Sequence, residues 1–470
     1  MAGVGTPDSP LRVAIVGSGP AGFYAAEHLL KQENVAVEVD MFDRLPTPFG
    51  LVRAGVAPDH PKIKSVIRMY EKTAAREGFR FFGNVHVGRD VTLADLRVHY
   101  HAVICAYGSS TDRSLGIEGE NLPGSHAATE FVAWYNAHPD FADCEFDLTA
   151  KRVVVIGNGN VAADVARMLA LTRDELEETD TADHAIDALA DSGIEEIVVL
   201  GRRGPAQAAF TNPEVRELGE MTDADIVINT GDVELDELSR EWIESDEAEP
   251  TNKRNVEIFT GFAEREPEGK RRRIVLRFLA SPVEIKGDGK VESIVIARNE
   301  LRRDESGVVR AADTGEREEI EAGLVFRSIG YKGEALEGLP FDERGGTIPN
   351  DHGRVTDPET EEAVPGQYVV GWIKRGPSGV IGTNKKDALD TVAALLEDVA
   401  EGRVYEPSGE ASADAAAEMV LERAPDAVSF AGWQAIDEAE VGRGEPLGRP
   451  RVKFARIDEM LDAARTGSKA

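Results

Sequence analysis

The sequence predicts an α/β protein built from two Rossmann-like dinucleotide-binding domains, and three observations carry that expectation. A strand, a glycine turn and a helix follow one another in "LRVAIVGSGPAGFYAAEHLL" from Leu11. The same order returns in "KRVVVIGNGNVAADVARMLA" from Lys151. A chain of 470 residues has room for more than one core, while its apolar runs are of strand length, far below the ~20 residues that a membrane helix needs.

In the first fingerprint Gly17, Gly19 and Gly22 take the G-x-G-x-x-G positions. The first permits the tight turn, the second lets a pyrophosphate approach the backbone, and the third lets helix and strand pack closely. The helix is expected from about Ala21. The next strand, "VAVEVDMFD" at residues 35–43, ends in Asp43, an acid suited to a ribose 2′-hydroxyl. A glycine turn that binds nothing is the competing reading, and the flanking strand and helix argue against it.

The second fingerprint keeps Gly157 and Gly159 and puts Ala162 in the third place. Its following strand, "IEEIVVLGRRGP", carries Arg202 and Arg203 where Asp43 stood in the first. A guanidinium fork donates paired, charge-assisted bonds to a phosphate that a carboxylate would repel, so the expected anion is the 2′-phosphate of NADP. Two solvated arginines at a strand end are the plain alternative. The interval from Gly157 to Arg202 exceeds the ~20 residues usual between a glycine turn and its ribose contact. The acidic segment 174–183 is expected to fill it as an insertion.

With 86 Asp plus Glu against 53 Lys plus Arg, the formal charge is −33, which argues against nucleic acid and anionic membranes as partners. Cys105 and Cys144 form neither a Cys-x-x-Cys pair nor a disulfide framework, and Cys105 reads as a small buried strand residue. Residues 1–10 lack the basic-then-apolar layout of a secretory signal, and a cytoplasmic setting is expected.

Five further stretches join the two fingerprints: "FGLVRAGVAPDHPKIKSVI" from Phe49, "FFGNVHVGRDV" from Phe81, "GRRGPAQAAFTNPEVREL" from Gly201, "RSIGYKG" from Arg327 and "GWIKRGPSGVIGTNKKDA" from Gly371. Together they resemble the adrenodoxin-reductase-type ferredoxin–NADP reductases, from Leu11 to about Leu396 and again at "FAGWQAIDEAE" and "LGRPRVK". The resemblance implies a discontinuous FAD domain, roughly residues 1–110 plus 346–470, with an NADP domain at 111–345. It implies FAD contacts at Ala21, Asp43, Leu51, Val87, Trp372, Gly379, Val380 and Ile381. The family's usual acid at the ribose position is Glu, so the shorter Asp43 implies the same contact with altered reach. For NADP(H) it implies Asn158, Gly159, Asn160 and Val161 at the pyrophosphate turn, Arg202 and Arg203 at the 2′-phosphate, and Glu214 and Gly379 towards the nicotinamide. A helix opening near Gly379 would aim its amides at the flavin.

The implied activity is FAD-mediated electron transfer between NADPH and a one-electron iron–sulfur ferredoxin. His60 and Glu217 are the residues that the resemblance places beside flavin and nicotinamide; helix capping for His60 and a solvated helix carboxylate for Glu217 are their plain alternatives, and core packing is that of Trp372. Because the chain is acidic, docking of an acidic ferredoxin needs a local basic patch, with Arg216 and the run Arg271, Arg272, Arg273 as candidates. A disulfide reductase lacks its thiol pair here. A flavin monooxygenase, a diaphorase acting on quinones or dyes, and a non-enzymatic flavin-binding scaffold stay open, as does oligomeric state.

Overall fold

The apolar runs around Val13 and Val153 each become an inner strand of a largely parallel sheet, which is why both read as nearly continuous hydrophobic stretches. A computed structural model of the chain describes residues 3–409 and 412–467. It divides into two units, Met1–Asp112 with Gly330–Ala470, and Arg113–Ile329.

The first unit begins with β1 (Leu11–Val16), the helix Pro20–Leu30, β2 (Val37–Phe42), β3 (Phe79–Phe82), β4 (Ala102–Cys105) and the short β5 (Thr111–Asp112). The chain then builds the second unit from β6 (Ser125–Ala127), β7 (Arg152–Ile156), β8 (Glu196–Leu200), β9 (Ala224–Ile228) and β10 (Arg272–Arg277). There follow β11 (Ala280–Lys286), β12 (Ser293–Arg303), β13 (Val309–Glu321) and β14 (Leu324–Arg327). It re-enters the first unit with β15 (Tyr331–Lys332), β16 (Asn350–Asp351), β17 (Arg354–Thr356) and β18 (Ala363–Val369). The first sheet has the order β16-β17-β18-β4-β1-β2-β3 and the second β6-β14-β7-β8-β10-β9. The return falls at Gly330 rather than at 346, because β14 completes the second sheet beside β7 and β15 already pairs antiparallel with β5.

In the first unit the buried Asp40 on β2 joins three strands and a loop. It accepts from Tyr100 Oη at 2.6 Å and from Arg80 Nε at 2.7 Å, and lies 3.4 Å from Arg12 Nη2. Arg80 Nη1 in turn donates to the carbonyl of Ala413 at 2.6 Å, which ties the C-terminal part of the chain to the sheet.

In the second unit the long interval after the second glycine turn is helical: Asn160–Met168, Arg173–Glu177 and Asp183–Ala190 precede β8. Thr172 and Glu175 cap the middle helix reciprocally, and the acidic segment then runs through a turn at residues 178–182, buried from Thr179 to Ala182, into the next helix. A three-stranded antiparallel sheet, β11-β12-β13, was not legible in the charged sequence of residues 298–321.

The run Arg271–Arg273 is not a free basic patch. Strand alternation sends the middle residue inward: Arg272 is 1% exposed and donates to the carbonyls of Ile194 at 3.2 Å, Leu171 at 3.1 Å and Ala170 at 3.3 Å and to Ser192 Oγ at 2.9 Å. Burial, then the like charge of Arg271, pushes its guanidinium down to about 10. Its neighbours point outward to acids, Arg271 to Asp223 at 2.8 Å and Arg273 to Glu196. No helix among the described residues is long and apolar enough to cross a membrane.

Arg272→Leu leaves those carbonyls without a donor and is expected to destabilise the second unit by about 2–3 kcal/mol. Urea unfolding followed by circular dichroism measures it, and a loss below about 0.5 kcal/mol, the range of ordinary surface substitutions, would contradict the anchoring role.

Candidate cofactor-binding site

Each sheet presents a strand–turn–helix at the carboxyl ends of its parallel strands, where open α/β sheets bind ligands. In the first unit Gly17 has φ 108°, and a Cβ there would meet the Ala106 carbonyl oxygen at 2.6 Å, so only glycine lets the turn pass β4. Gly19 is the opposite case: a Cβ would meet nothing within 4 Å, which leaves a cradle open above the helix. The helix Pro20–Leu30 has Gly19 as N-cap, no side-chain cap and no acid in its first turn. Its uncapped first-turn amides and its dipole favour an anion there, and the residues present fit a dinucleotide pyrophosphate.

Among the positions expected from sequence in this unit, Asp43 bonds directly to that turn. The Asp43 carboxylate accepts from Ser18 N at 3.1 Å, from Ser18 Oγ and from Leu45 N at 2.9 Å. Burial pushes its carboxyl above the ordinary carboxylate range, against the bonds from Ser18 and Leu45 and the charge of Arg44. Leu51 opens a short helix, Leu51–Ala54, and is exposed, whereas Val87 is buried in the core beside Val85 and Val91. Ala21 lies against Gly371, where an added Cβ would come within 2.6 Å of the Ala21 Cβ.

Trp372 follows β18, opens the short helix Trp372–Arg375 and packs on Tyr331 with ring centroids 5.3 Å apart. Sequence reasoning missed what holds this turn: Asp387 accepts from Gly371 N at 2.6 Å, Lys374 Nζ at 2.8 Å and Arg375 Nη1 at 3.1 Å. The long helix does not open at Gly379 but at Thr383. Gly379 has φ 80°, with its Cβ direction blocked by Thr383 Oγ1 at 2.6 Å, so it bends the chain ahead of the helix. Val380 is exposed and donates its amide to Thr383 Oγ1 at 3.1 Å, and Ile381 packs on the core that includes Ala21. This helix too has no side-chain cap and no acid in its first turn. His60 is buried and serves as N-cap of Pro61–Lys64 without a side-chain capping bond.

The second unit repeats the design. Gly157 has φ 142°, and a Cβ would meet the Ser328 carbonyl oxygen at 2.2 Å. Gly159 caps the helix Asn160–Met168 with no side-chain cap and no acid in the first turn. Asn158 accepts from Ala209 N at 2.9 Å through its carbonyl, while its Nδ2 is buried without a partner. Asn160 Oδ1 accepts from Thr211 N at 2.8 Å, and Val161 follows it in the first helical turn, so the turn is braced by residues 209–211. Glu214 and Glu217 lie on the helix Asn212–Leu218 and are gathered by the buried Arg167, at 3.2 Å and 3.6 Å. Arg167 also pairs with Asp164 at 2.7 Å, and as one more helix arginine it gave no sequence signal.

Arg202 and Arg203 stand just past β8 and are exposed; neither side chain hydrogen-bonds or ion-pairs with another described residue. Their backbone is nevertheless fixed, since Leu279 N donates to the Arg203 carbonyl at 3.1 Å and Asn299 Nδ2 to the Arg202 carbonyl at 2.9 Å. Partial desolvation and then the like charge of Arg202 lower the proton affinity of the Arg203 guanidinium. Two adjacent guanidiniums without an acid partner among the described residues are suited to a multiply charged anion.

The raised carboxyl of Asp43 has a consequence for stability. Above the ordinary carboxyl value of ~3.9 the folded chain holds more protons than the unfolded one, until pH passes the raised folded value. Stability of the ligand-free protein therefore falls as pH rises through that window. Asp43→Asn is expected to remove that fall, read as a flatter urea midpoint against pH; an unchanged slope would assign it elsewhere.

Residues 11–199 match the pyridine nucleotide-disulphide oxidoreductase family. The chain is 53% identical over 459 residues, 96% of its length and 98% of the relative's, to the NADPH-ferredoxin reductase FprA of Mycobacterium tuberculosis. It is 42% identical over 481 residues, 98% and 92% of the two lengths, to the mitochondrial NADPH:adrenodoxin oxidoreductase of Salvelinus fontinalis. The solved structure of Mycobacterium tuberculosis FprA in complex with NADPH matches with a TM-score of 0.91 at 51% identity, covering 97% of this chain and 100% of that one. With such similarity along almost its whole length, this chain belongs to the adrenodoxin-reductase-type ferredoxin–NADP reductases.

Proposed function

We propose that the protein is an FAD-dependent ferredoxin–NADP reductase in which the first unit holds FAD and the second holds NADP(H). The observation that carries the choice of nicotinamide is the pair Arg202 and Arg203, adjacent at the end of β8, exposed, and without a side-chain partner among the described residues. The open turn at Gly19 and the uncapped helix behind it support FAD pyrophosphate in the first unit, and the turn at Gly159 supports that of NADP in the second.

When bound, FAD supplies the link between two-electron hydride chemistry and one-electron transfer. The chain supplies position. Helix amides at both turns hold pyrophosphates, Asp43 reaches the ribose of FAD, and Arg202 with Arg203 select the 2′-phosphate. Trp372, the turn braced by Asp387 and the uncapped helix from Thr383 form the isoalloxazine side of the first unit. His60 and Glu217, the latter held by Arg167, are assigned to orienting the flavin and nicotinamide rather than to covalent chemistry. Dithiol chemistry is not supported: Cys105 is buried, its thiol pushed up to about 12 by desolvation, and Cys144 belongs to the other unit.

Arg202→Ala and Arg203→Ala are each expected to lower kcat/KM for NADPH about ten-fold to a hundred-fold, the worth of a charged hydrogen bond, while NADH turnover stays near its starting value. Equal losses with both nicotinamides would contradict 2′-phosphate selection. Ferredoxin is the proposed acceptor, and Arg216 is exposed without a partner among the described residues. Arg216→Glu is expected to slow reduction of an acidic ferredoxin several-fold, roughly, with a weaker salt dependence and unchanged ferricyanide reduction. Identical ferredoxin kinetics at low ionic strength would remove Arg216 from the docking surface.

A further inference from the structure

The loop that closes over the first glycine turn is held by a residue far away in sequence. Residues 49 and 50 both have left-handed backbones, Phe49 at φ 83° and Gly50 at φ 48°. Phe49 N donates to the Ser18 carbonyl at 3.0 Å, and Gly50 sits so close to the turn that a Cβ would lie 3.0 Å from Gly19 Cα. A non-glycine residue at positive φ persists only where its surroundings over-determine it. Here Val52 N donates to the Phe49 carbonyl at 3.0 Å, Ala54 N and Arg53 N donate to the Gly50 carbonyl at 3.0 and 3.1 Å, and Arg53 also ties this turn to a distant acid.

Arg53 is 8% exposed and Glu440, on the helix Phe430–Gly444, is 0% exposed. Arg53 Nη1 donates to Glu440 Oε2 at 2.8 Å and Nη2 donates to Oε1, a two-pronged pair across 387 positions of sequence. The guanidinium also lies over the Trp433 ring at 5.2 Å, and Trp433 meets Phe49 edge-on at 5.6 Å. The acid's remaining capacity is filled by Phe454 N at 3.0 Å and by Arg451 Nη1 at 3.3 Å, while Lys453 Nζ donates to the Arg53 carbonyl at 3.2 Å. Burial alone would raise the Glu440 carboxyl, but the charge and bonds of Arg53, joined by Arg451, hold it below the usual range.

We propose that Glu440 is a positioning residue for the flavin site: by clamping Arg53 it fixes residues 49–53 against the glycine turn, so the C-terminal arm sets how tightly the cofactor is held. This rests on the reading that FAD occupies that turn. Glu440 touches no part of the cradle itself and acts through Arg53. Replacing the acid leaves a buried cation uncompensated, and relaxation of Arg53 frees the strained Phe49–Gly50 peptide from Ser18 and Gly19.

The test compares Glu440→Gln with Asp398→Asn. Asp398 is also buried in the first unit, where it accepts from Arg354 Nε and Tyr368 Oη, each at 2.8 Å, far along the helix Thr383–Glu401 from its opening. Apoprotein of each is titrated with FAD by flavin fluorescence, its unfolding midpoint is recorded without FAD, and the visible spectrum of bound flavin is compared. Glu440→Gln is expected to weaken FAD binding about ten-fold or more and to alter the bound spectrum. Asp398→Asn is expected to lose comparable apoprotein stability with FAD affinity retained. Arg53→Lys keeps the charge but not the fork and should fall between wild type and Glu440→Gln, which secures a result if the latter does not fold. FAD affinity at the wild-type value in both clamp variants, or losses in all three variants that track stability alone, overturns the proposal. Failure of the wild-type apoprotein to take up FAD would instead overturn the functional reading.

Discussion

The structure depends on two places where backbone must touch backbone. At Gly17 and at Gly157 a strand turns into a helix directly against the end of a neighbouring strand, and the oxygens of Ala106 and Ser328 occupy the space a Cβ would need. That close approach sets the start of each helix at the edge of its sheet, with first-turn amides that no side chain caps. The pyrophosphate positions proposed for both sites follow from those uncapped amides: an acidic chain that puts carboxylates at so many other positions keeps them out of these helix openings, where the amides and the dipole favour an anion.

Charge is used in two distinct ways around this frame. Asp40, Glu440 and Asp398 are buried carboxylates held by arginine donors, joined by a tyrosine at Asp40 and Asp398, and each joins segments distant in sequence. Such clusters cost desolvation and return it only through good geometry, so their contribution is to specify which segment docks where. Arg202 and Arg203 show the other use. They sit just past the end of β8, where their backbone is pinned while neither side chain pairs with another described residue.

The contrast between Arg202–Arg203 and Arg271–Arg273 shows what arginine runs mean in this fold. Both occur beside apolar strands, and as text they look alike. The first pair follows a strand's carboxyl end, where the sheet opens onto a ligand crevice. The second run begins a strand, where alternation buries Arg272 among helix-end carbonyls and sends Arg271 and Arg273 to surface acids. Position along the strand decides which is structural and which is free to bind.

By itself the sequence determined the two glycine turns, their strands and helices, the exchange of Asp43 for an arginine pair, and the lack of a thiol pair. These are local: a turn that excludes Cβ, an apolar run and a strand-end residue type are written in consecutive letters. Only the tertiary structure decided that the chain re-enters the first unit at Gly330, that the long helix opens at Thr383 rather than at Gly379, and that a three-stranded sheet braces Arg202. It alone revealed Arg167 beneath Glu214 and Glu217, Asp387 beneath the Trp372 turn, and Glu440 behind Arg53. In each of these the partners are separated by tens to hundreds of positions, and a charged residue carries no local mark of whether it will be solvated by water or paired with a buried side chain. That choice belongs to packing, which brings distant segments to hydrogen-bonding distance in the folded chain.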